Sequence, residues 1–297
     1  MKEVKTMKKT LSVILAVLMA LGCVLMLASC GGTTEETTAA ADDTTAAEET
    51  TAAEETTAAE ETTAAESDLA YIKAKGKLVV GVTEYKPMDW IDENGEWTGF
   101  DAEYARAVAK ELGVEVEFIE IEWDNKEFEV SSKKIDCVWN GMTITDALKQ
   151  SMDITDAYVK NAQVVVMPKD KAADYTTVES LKDLSFAVEV GSAGKGVAED
   201  NGFNYTELTY QSDAILEVHT GKADACIIDI TMADALTAEG ATYENLVKVL
   251  SLNEEEYGIG CRKGSDLCTE INTITDKLLA DGTLDALADK YELTLVK

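Results

Sequence analysis

The chain has 297 residues, room for one large or two ordinary domains, and a formal net charge of −31 from 57 acidic against 26 basic residues. So acidic a chain suits neither nucleic acid nor an anionic lipid surface as a partner of its folded part, and its charge serves solubility. One histidine and six cysteines with no CxxC pair leave no metal cluster to read, and the sequence implies neither metal nor cofactor.

The first 66 residues stand apart. Lys2, Lys5, Lys8 and Lys9 make a positive start ahead of an apolar run from Leu11 to Leu27, the pattern of a secretory signal peptide over residues 1–29. Leu27-Ala28-Ser29-Cys30-Gly31 resembles a bacterial lipobox, which implies cleavage before Cys30 and lipidation of that residue. Residues 30–67 then read as the lipidated cysteine and an acidic tether. From 33 to 66 there is no aromatic, no β-branched aliphatic and no basic residue, and TTAAEE repeats from Thr44. Such a segment cannot bury enough apolar area to offset its ordering entropy. As a coil it reaches roughly 35 Å, and its self-repelling carboxylates lengthen that. The expected location is the outer face of a bacterial cytoplasmic membrane, with a folded module on a lipid-anchored leash.

From Asp68 onward strands and helices alternate. KLVVGV (77–82) reads as a buried strand, and Asp101 as the cap of a helix whose Tyr104, Val108 and Leu112 share one face up to Gly113. A strand over 114–121, a polar helix over 126–132 and the apolar run IDCVW (135–139) follow. NGMTIT (140–145) then opens a short helix with Thr145 at its cap, and 163–167 is a strong strand. The rhythm repeats with SFAVEV (185–190), a Gly191-Ser192-Ala193-Gly194 turn into a helix, a helix over 213–220, ADACIID (223–229) and a helix over 231–239. A strand over 257–262 and two closing helices broken at Asp281-Gly282 end the chain. Two runs of strand–helix alternation imply an α/β protein with two lobes, each a mostly parallel sheet flanked by helices. Ligands of open α/β sheets sit beyond the carboxyl ends of strands, which points to the residues after KLVVGV, IDCVW, SFAVEV and ACIID. Cys137 and Cys226 lie in apolar runs and read as buried free thiols; Cys261 and Cys268 are either free or paired across CRKGSDLC. His219 reads as a surface residue of a helix.

Those corners carry a resemblance. GKLVVGVTEYKPM, ENGEWTGFDAEYARAVAKELGVEVEF, KKIDCVWNGMTIT, YGIGCRKGSDL and LLADGTLDALADKY, in this order over residues 68–297, resemble the polar amino-acid solute-binding proteins of ABC transporters, family 3. The resemblance implies a type II periplasmic-binding-protein flytrap, with lobe 1 at 68–163 plus 256–297, lobe 2 at 164–255, and crossings near 161–164 and 251–257. It implies a monomer that traps an amino acid or related amine between its lobes and delivers it to a membrane permease. Residue by residue, it implies ligand contacts from Tyr85 and Trp123 as aromatic faces, from Asn140, Gly141 and Thr143 at the strand-end corner, and from Ser192 at the glycine turn. Asp229 takes the place of the acid that accepts the ligand's α-ammonium.

One departure bears on the ligand. The family corner reads T-I-T-x-E-R, its arginine clamping the ligand's α-carboxylate, and here that position is Leu148. The chain has two arginines, Arg106 and Arg262, neither placed to reach the cleft. Glu189 adds an acid where relatives carry neutral or basic residues. Aromatic faces and carboxylates without a guanidinium suit a cation, and Trp139 reads either as a further cleft aromatic or as core. A plain amino acid held by Thr143, Ser192 and backbone N–H groups remains the competing expectation. A ligand sensor on the same fold, or a cyclohexadienyl dehydratase-like enzyme, is the alternative; a cleft without Arg or His is poorly equipped for the latter.

Overall fold

In the computed structural model, which describes residues 67–297, the chain opens on helix α1 (Asp68–Lys75), where the Ser67 hydroxyl accepts the Ala70 N–H at 2.9 Å. The expected signal peptide, Cys30 and all of the expected tether but Ser67 lie outside the described residues. Strand β1 (Lys77–Val82) is buried along all but its first residue, as an unbroken apolar run should be. It is the second strand of a five-stranded sheet, paired in parallel with β4 (Glu115–Glu120) and β5 (Cys137–Val138). A small hairpin, β2 (Trp90–Ile91) with β3 (Trp97–Thr98), leads into helix α2 (Phe100–Leu112). Phe100, Tyr104, Val108 and Leu112 recur every four residues and are buried, and Gly113 ends the helix at φ 74°. Asp101 does not cap this helix. The cap position is Gly99, and Asp101 turns inward, fully buried, to accept the Gly141 N–H at 2.7 Å and the Tyr158 hydroxyl at 2.9 Å.

Helix α3 (Lys126–Ser131) follows a 3-10 turn at Trp123–Asn125; α4 (Leu148–Ser151) is a single turn leading to β6 (Met152–Ile154). The second sheet has the order β10 (Asn204–Leu208), β9 (Ser185–Glu189), β11 (Ala225–Asp229), β8 (Gln163–Pro168), β12 (Leu246–Ser251). Helices α5 (Ala193–Asn201), α6 (Gln211–His219) and α7 (Ile230–Thr237) connect its strands. Phe186 stacks on Phe203 at 4.7 Å to seal one side of this sheet. His219 is exposed at the end of α6, as expected.

The chain passes between the two sheets in an antiparallel ribbon, β7 (Val159–Asn161) against β13 (Glu255–Tyr257), pairing Asn161 with Glu255. Strand β14 (Gly260–Arg262) then returns to the first sheet, antiparallel to β5 and β6. The predicted strand over 257–262 is thus two short ones, parted at Gly258-Ile259. Gly258 is required there, since a Cβ would lie 2.6 Å from Ile154 Cγ2. Two pairings in each sheet are parallel and two antiparallel, more antiparallel than the alternation alone implies, because β8 and β14 arrive by the crossing. Helices α8 (Leu267–Ala280) and α9 (Thr283–Tyr291) close over α2, with Tyr291 edge-on to Trp90 at 5.9 Å. Trp139 is core, fully buried and edge-on to Tyr104 at 4.7 Å. Cys137, Cys226, Cys261 and Cys268 are all free and buried, so the open question at CRKGSDLC resolves to two thiols. Cys268 Sγ instead donates to the Asp153 carbonyl at 3.2 Å.

Candidate functional site

Between the two sheets lies a cavity of about 580 Å³, and all nine residues picked out from the sequence line it: Tyr85, Trp123, Asn140, Gly141, Thr143 and Leu148 from the first lobe, Glu189, Ser192 and Asp229 from the second. A cleft of this size suits a small molecule. Trp139 does not reach it. Its walls come from strand ends, as the sheet architecture dictates: β1 leads to Tyr85, β5 to the Asn140–Thr143 corner, β9 to Glu189 and β11 to Asp229.

Asp229 sits deepest in a web of amide donors. Its Oδ1 accepts from Gln163 Nε2 at 2.8 Å and from Asn161 Nδ2, and its Oδ2 from Gln211 Nε2 at 2.5 Å. Gln211 also accepts the Asp229 N–H at 2.9 Å, so the carboxyl is fixed from both ends. Burial, and then the charge of Glu255, push its pKa up from 3.8 to about 7, against the donors. Glu255, on β13, accepts from Thr143 Oγ1 at 2.7 Å, Asn161 Nδ2 at 2.6 Å and Gln163 Nε2 at 2.8 Å. It lines the cavity beside Asp229, and the sequence reading missed it. The signal was available: three successive acids, Glu254 to Glu256, at a predicted crossing.

Glu189 accepts the Gln211 N–H at 3.2 Å, and burial followed by the charge of Asp229 raises its pKa to about 8. Across the cleft from it stands Lys126, the second residue the sequence reading missed, since it was assigned to a polar helix. Its Nζ donates to the Trp123 carbonyl at 3.2 Å and, from lobe to lobe, to the Gly191 carbonyl at 2.9 Å. Tyr85 makes a second bridge, its hydroxyl 2.6 Å from Thr231 Oγ1 and bonded to that of Tyr257.

The strand-end corner is partly committed to its own fold. The Asn140 amide is taken up by the Thr83 hydroxyl at 2.6 Å, the Thr83 carbonyl at 3.0 Å and Asp89 at 2.8 Å. The Gly141 N–H goes to Asp101, so it too is committed to the fold. Gly141 has φ 55°, and a Cβ there would stand 2.6 Å from Tyr85 Cε1, so only glycine lets the aromatic approach. The Ser192 hydroxyl caps α5, accepting the Lys195 N–H at 3.1 Å and donating to the Glu189 carbonyl at 2.8 Å. Both bonds occupy it locally. Thr145 Oγ1 does accept the Leu148 N–H at 3.1 Å, yet the helix it starts is one turn long and too short to concentrate a dipole.

Residues 78–294 match the model of a protein family described as bacterial extracellular solute-binding proteins, family 3. The chain belongs to that family. The L-cystine-binding protein TcyJ of Escherichia coli (strain K12) is 30% identical over 74% of this chain and 84% of its own. The arginine-binding extracellular protein ArtP of Bacillus subtilis (strain 168) is 30% identical over 73% of this chain and 86% of its own. Among solved structures, a mutant of ArgBP from T. maritima superposes with a TM-score of 0.71 at 33% identity, covering 75% of this chain and 98% of that one. The ancestral amino acid-binding protein AncCDT-1, a precursor of cyclohexadienyl dehydratase, gives 0.70 at 34% identity, over 76% and 99%. The fold of this family 3 protein is therefore the type II flytrap.

Two side chains set this family 3 cleft apart. Leu148 lines the cavity, half-buried, and packs against the apolar cluster that includes Trp123 and Met142. Neither arginine substitutes for it: Arg106 bonds the Trp97 carbonyl at 2.6 Å, and Arg262 pairs with Asp68 at 3.0 Å on the far side of the first lobe. Seven carboxyl side chains line the cavity, and Lys126 is the one cation among the described residues that do.

Proposed function

We propose that this protein captures an amino acid or related amine between lobes at 68–163 plus 256–297 and 164–255, and presents it to the permease of an ABC transporter. In this reading it works as a monomer at the outer face of the cytoplasmic membrane, held there through lipidated Cys30 after removal of residues 1–29. The observation that carries the reading is Asp229, 4% exposed, at the end of β11 and at the wall of a cavity with aromatic faces from Tyr85 and Trp123. A buried carboxylate beside a second acid gains an ammonium partner on binding, which is the differential contact that favours a closed cleft. The names of the relatives, for cystine and arginine, supply the ligand class. Catalysis on prephenate-like dicarboxylates is disfavoured by an acid-lined cleft with one lysine. A sensor is distinguished by the partner: permease capture on the closed form supports transport, and its absence supports sensing.

Titration calorimetry with the standard amino acids, cystine and simple diamines tests the reading. At least one binds at about micromolar Kd or tighter, and Asp229→Asn weakens it by about a hundredfold. Affinity falls by up to about tenfold for each pH unit below about 7, because Asp229 must be ionised to accept the ammonium. Tight binding of a plain neutral amino acid that Asp229→Asn leaves intact would overturn it.

A further inference from the structure

Lys126 is the one cation among the described residues that line the cleft, and the reading above does not use it. It is 5% exposed, and its ammonium makes two hydrogen bonds, both to carbonyls, while lying 4.8 Å from the Trp123 ring centroid. An ammonium has three donors, so one remains. No ion pair of the described residues includes it. Burial weakens its hold on its proton, opposed by Glu189, Glu127 and Asp124 in that order. Burial raises the pKa of Glu189, the foremost of these acids, to about 8. A buried ammonium bonded to two carbonyls beside a ring face, with no ion pair of its own, is costly to keep, and an incoming anion relieves that cost.

The cleft is thus polar along its length. Asp229 and Glu255 make one end anionic, and Lys126 sets a single ammonium beside Gly191, with Asp124 and Glu127 next to it. Gly191 leads through Ser192, the cap that takes the Lys195 N–H, into α5, and Ser192, Ala193 and Gly196 at its start line the same cavity. A simple amine satisfies only the anionic end. A zwitterion satisfies both.

We propose that Lys126 holds the carboxylate of an α-amino acid ligand, doing from the start of α3 what the resemblance assigns to an arginine at position 148. The ligand class is then a zwitterionic amino acid, not a diamine or polyamine. This inference rests on the reading of the cleft as an amine site. A lysine offers a point charge on a flexible stem where arginine offers a planar fork, so its grip discriminates less sharply among carboxylate orientations.

The test compares amino acids with their decarboxylated counterparts by calorimetry: arginine against agmatine, histidine against histamine, tyrosine against tyramine. The wild-type protein prefers the amino acid of its best-binding pair by about ten- to hundredfold, the range for one charge-assisted hydrogen bond. Lys126→Met brings the pair within about threefold by weakening the amino acid alone, and Lys126→Arg keeps the preference. Equal binding of amine and amino acid by the wild-type protein overturns the inference without any variant. So does a preference that survives Lys126→Met. If Asp229→Asn abolishes binding while Lys126→Met changes nothing, the amine site stands and the role of Lys126 falls. If neither these pairs nor the standard amino acids, cystine and diamines bind, both fall together.

Discussion

The Asp229→Asn substitution removes a carboxyl whose pKa is raised by burial, and next by Glu255, from 3.8 to about 7. Such an acid holds its proton more tightly in the folded chain than in the unfolded one. Wild-type stability therefore falls as pH rises from about 4 to about 7 and levels off above that. The full shift is about three units, on the order of 4 kcal/mol at about 1.4 per unit, and at pH 5 less than half of it has been lost. Asparagine escapes this penalty but loses an acceptor oxygen, the one that takes Gln211 Nε2 at 2.5 Å. Leaving two N–H donors face to face costs about 1–2 kcal/mol. The variant is thus more stable by about 2–3 kcal/mol at pH 8 and by roughly nothing at pH 5. For a chain of this size that is a rise of about 4–6 °C in Tm at pH 8. Ligand-free thermal melts at the two pH values, read by circular dichroism, measure it. A Tm at pH 8 equal to or below that of the wild type, or the same increment at both pH values, would refute the reasoning.

Gly141→Ala places a Cβ 2.6 Å from Tyr85 Cε1 at a residue with φ 55°. We expect a loss of about 2 kcal/mol in urea unfolding, with weaker ligand binding as Tyr85 is displaced, whereas an unchanged midpoint would mean the ring yields freely. Leu148→Arg should raise affinity for α-amino acids by about tenfold and restore the carboxylate preference of Lys126→Met, because Leu148 lines the cavity. Calorimetry showing no gain would place that side chain out of reach of the ligand. Cys137, Cys226 and Cys261 are fully buried and Cys268 is 7% exposed. Burial also pushes the Cys137 thiol's pKa upward, so a disulfide-exchange reagent should label none of the four until the chain is unfolded, and rapid native labelling would contradict the packing.

The fold was legible where apolar runs are long. KLVVGV, QVVVM and ACIID could only be buried strands, and the four-residue spacing from Phe100 to Leu112 could only be a helix with one buried face. Short elements left little trace. The two-residue pairings of β5 with β1 and β14, and the β7–β13 ribbon, depend on partners 57 to 124 residues away, and no local pattern encodes them. The site was legible by resemblance at its strand ends. Asp101, Glu255 and Lys126 were not, for one physical reason: each is a charged residue in a polar stretch, and charged residues in such stretches ordinarily face water. The fold turns these three inward because Gly141 and Tyr158, the Asn161–Gln163 amides, and the Gly191 carbonyl wait there to receive them. Asn140 was placed correctly for a different job, since its amide braces the corner and does not reach outward.

Glu255 belongs at once to the wall of the cavity and to β13, half of the ribbon through which the chain passes between its sheets. Its carboxylate ties Thr143, at the corner after β5, to Gln163, the first residue of β8 in the second sheet. On the proposed function, the ribbon that joins the two sheets is therefore wired to the cargo. A residue exchanged at this position to suit a new ligand would then also reset how stiffly the two halves are joined. Selection on what is carried and selection on how readily it is let go then act on the same side chain.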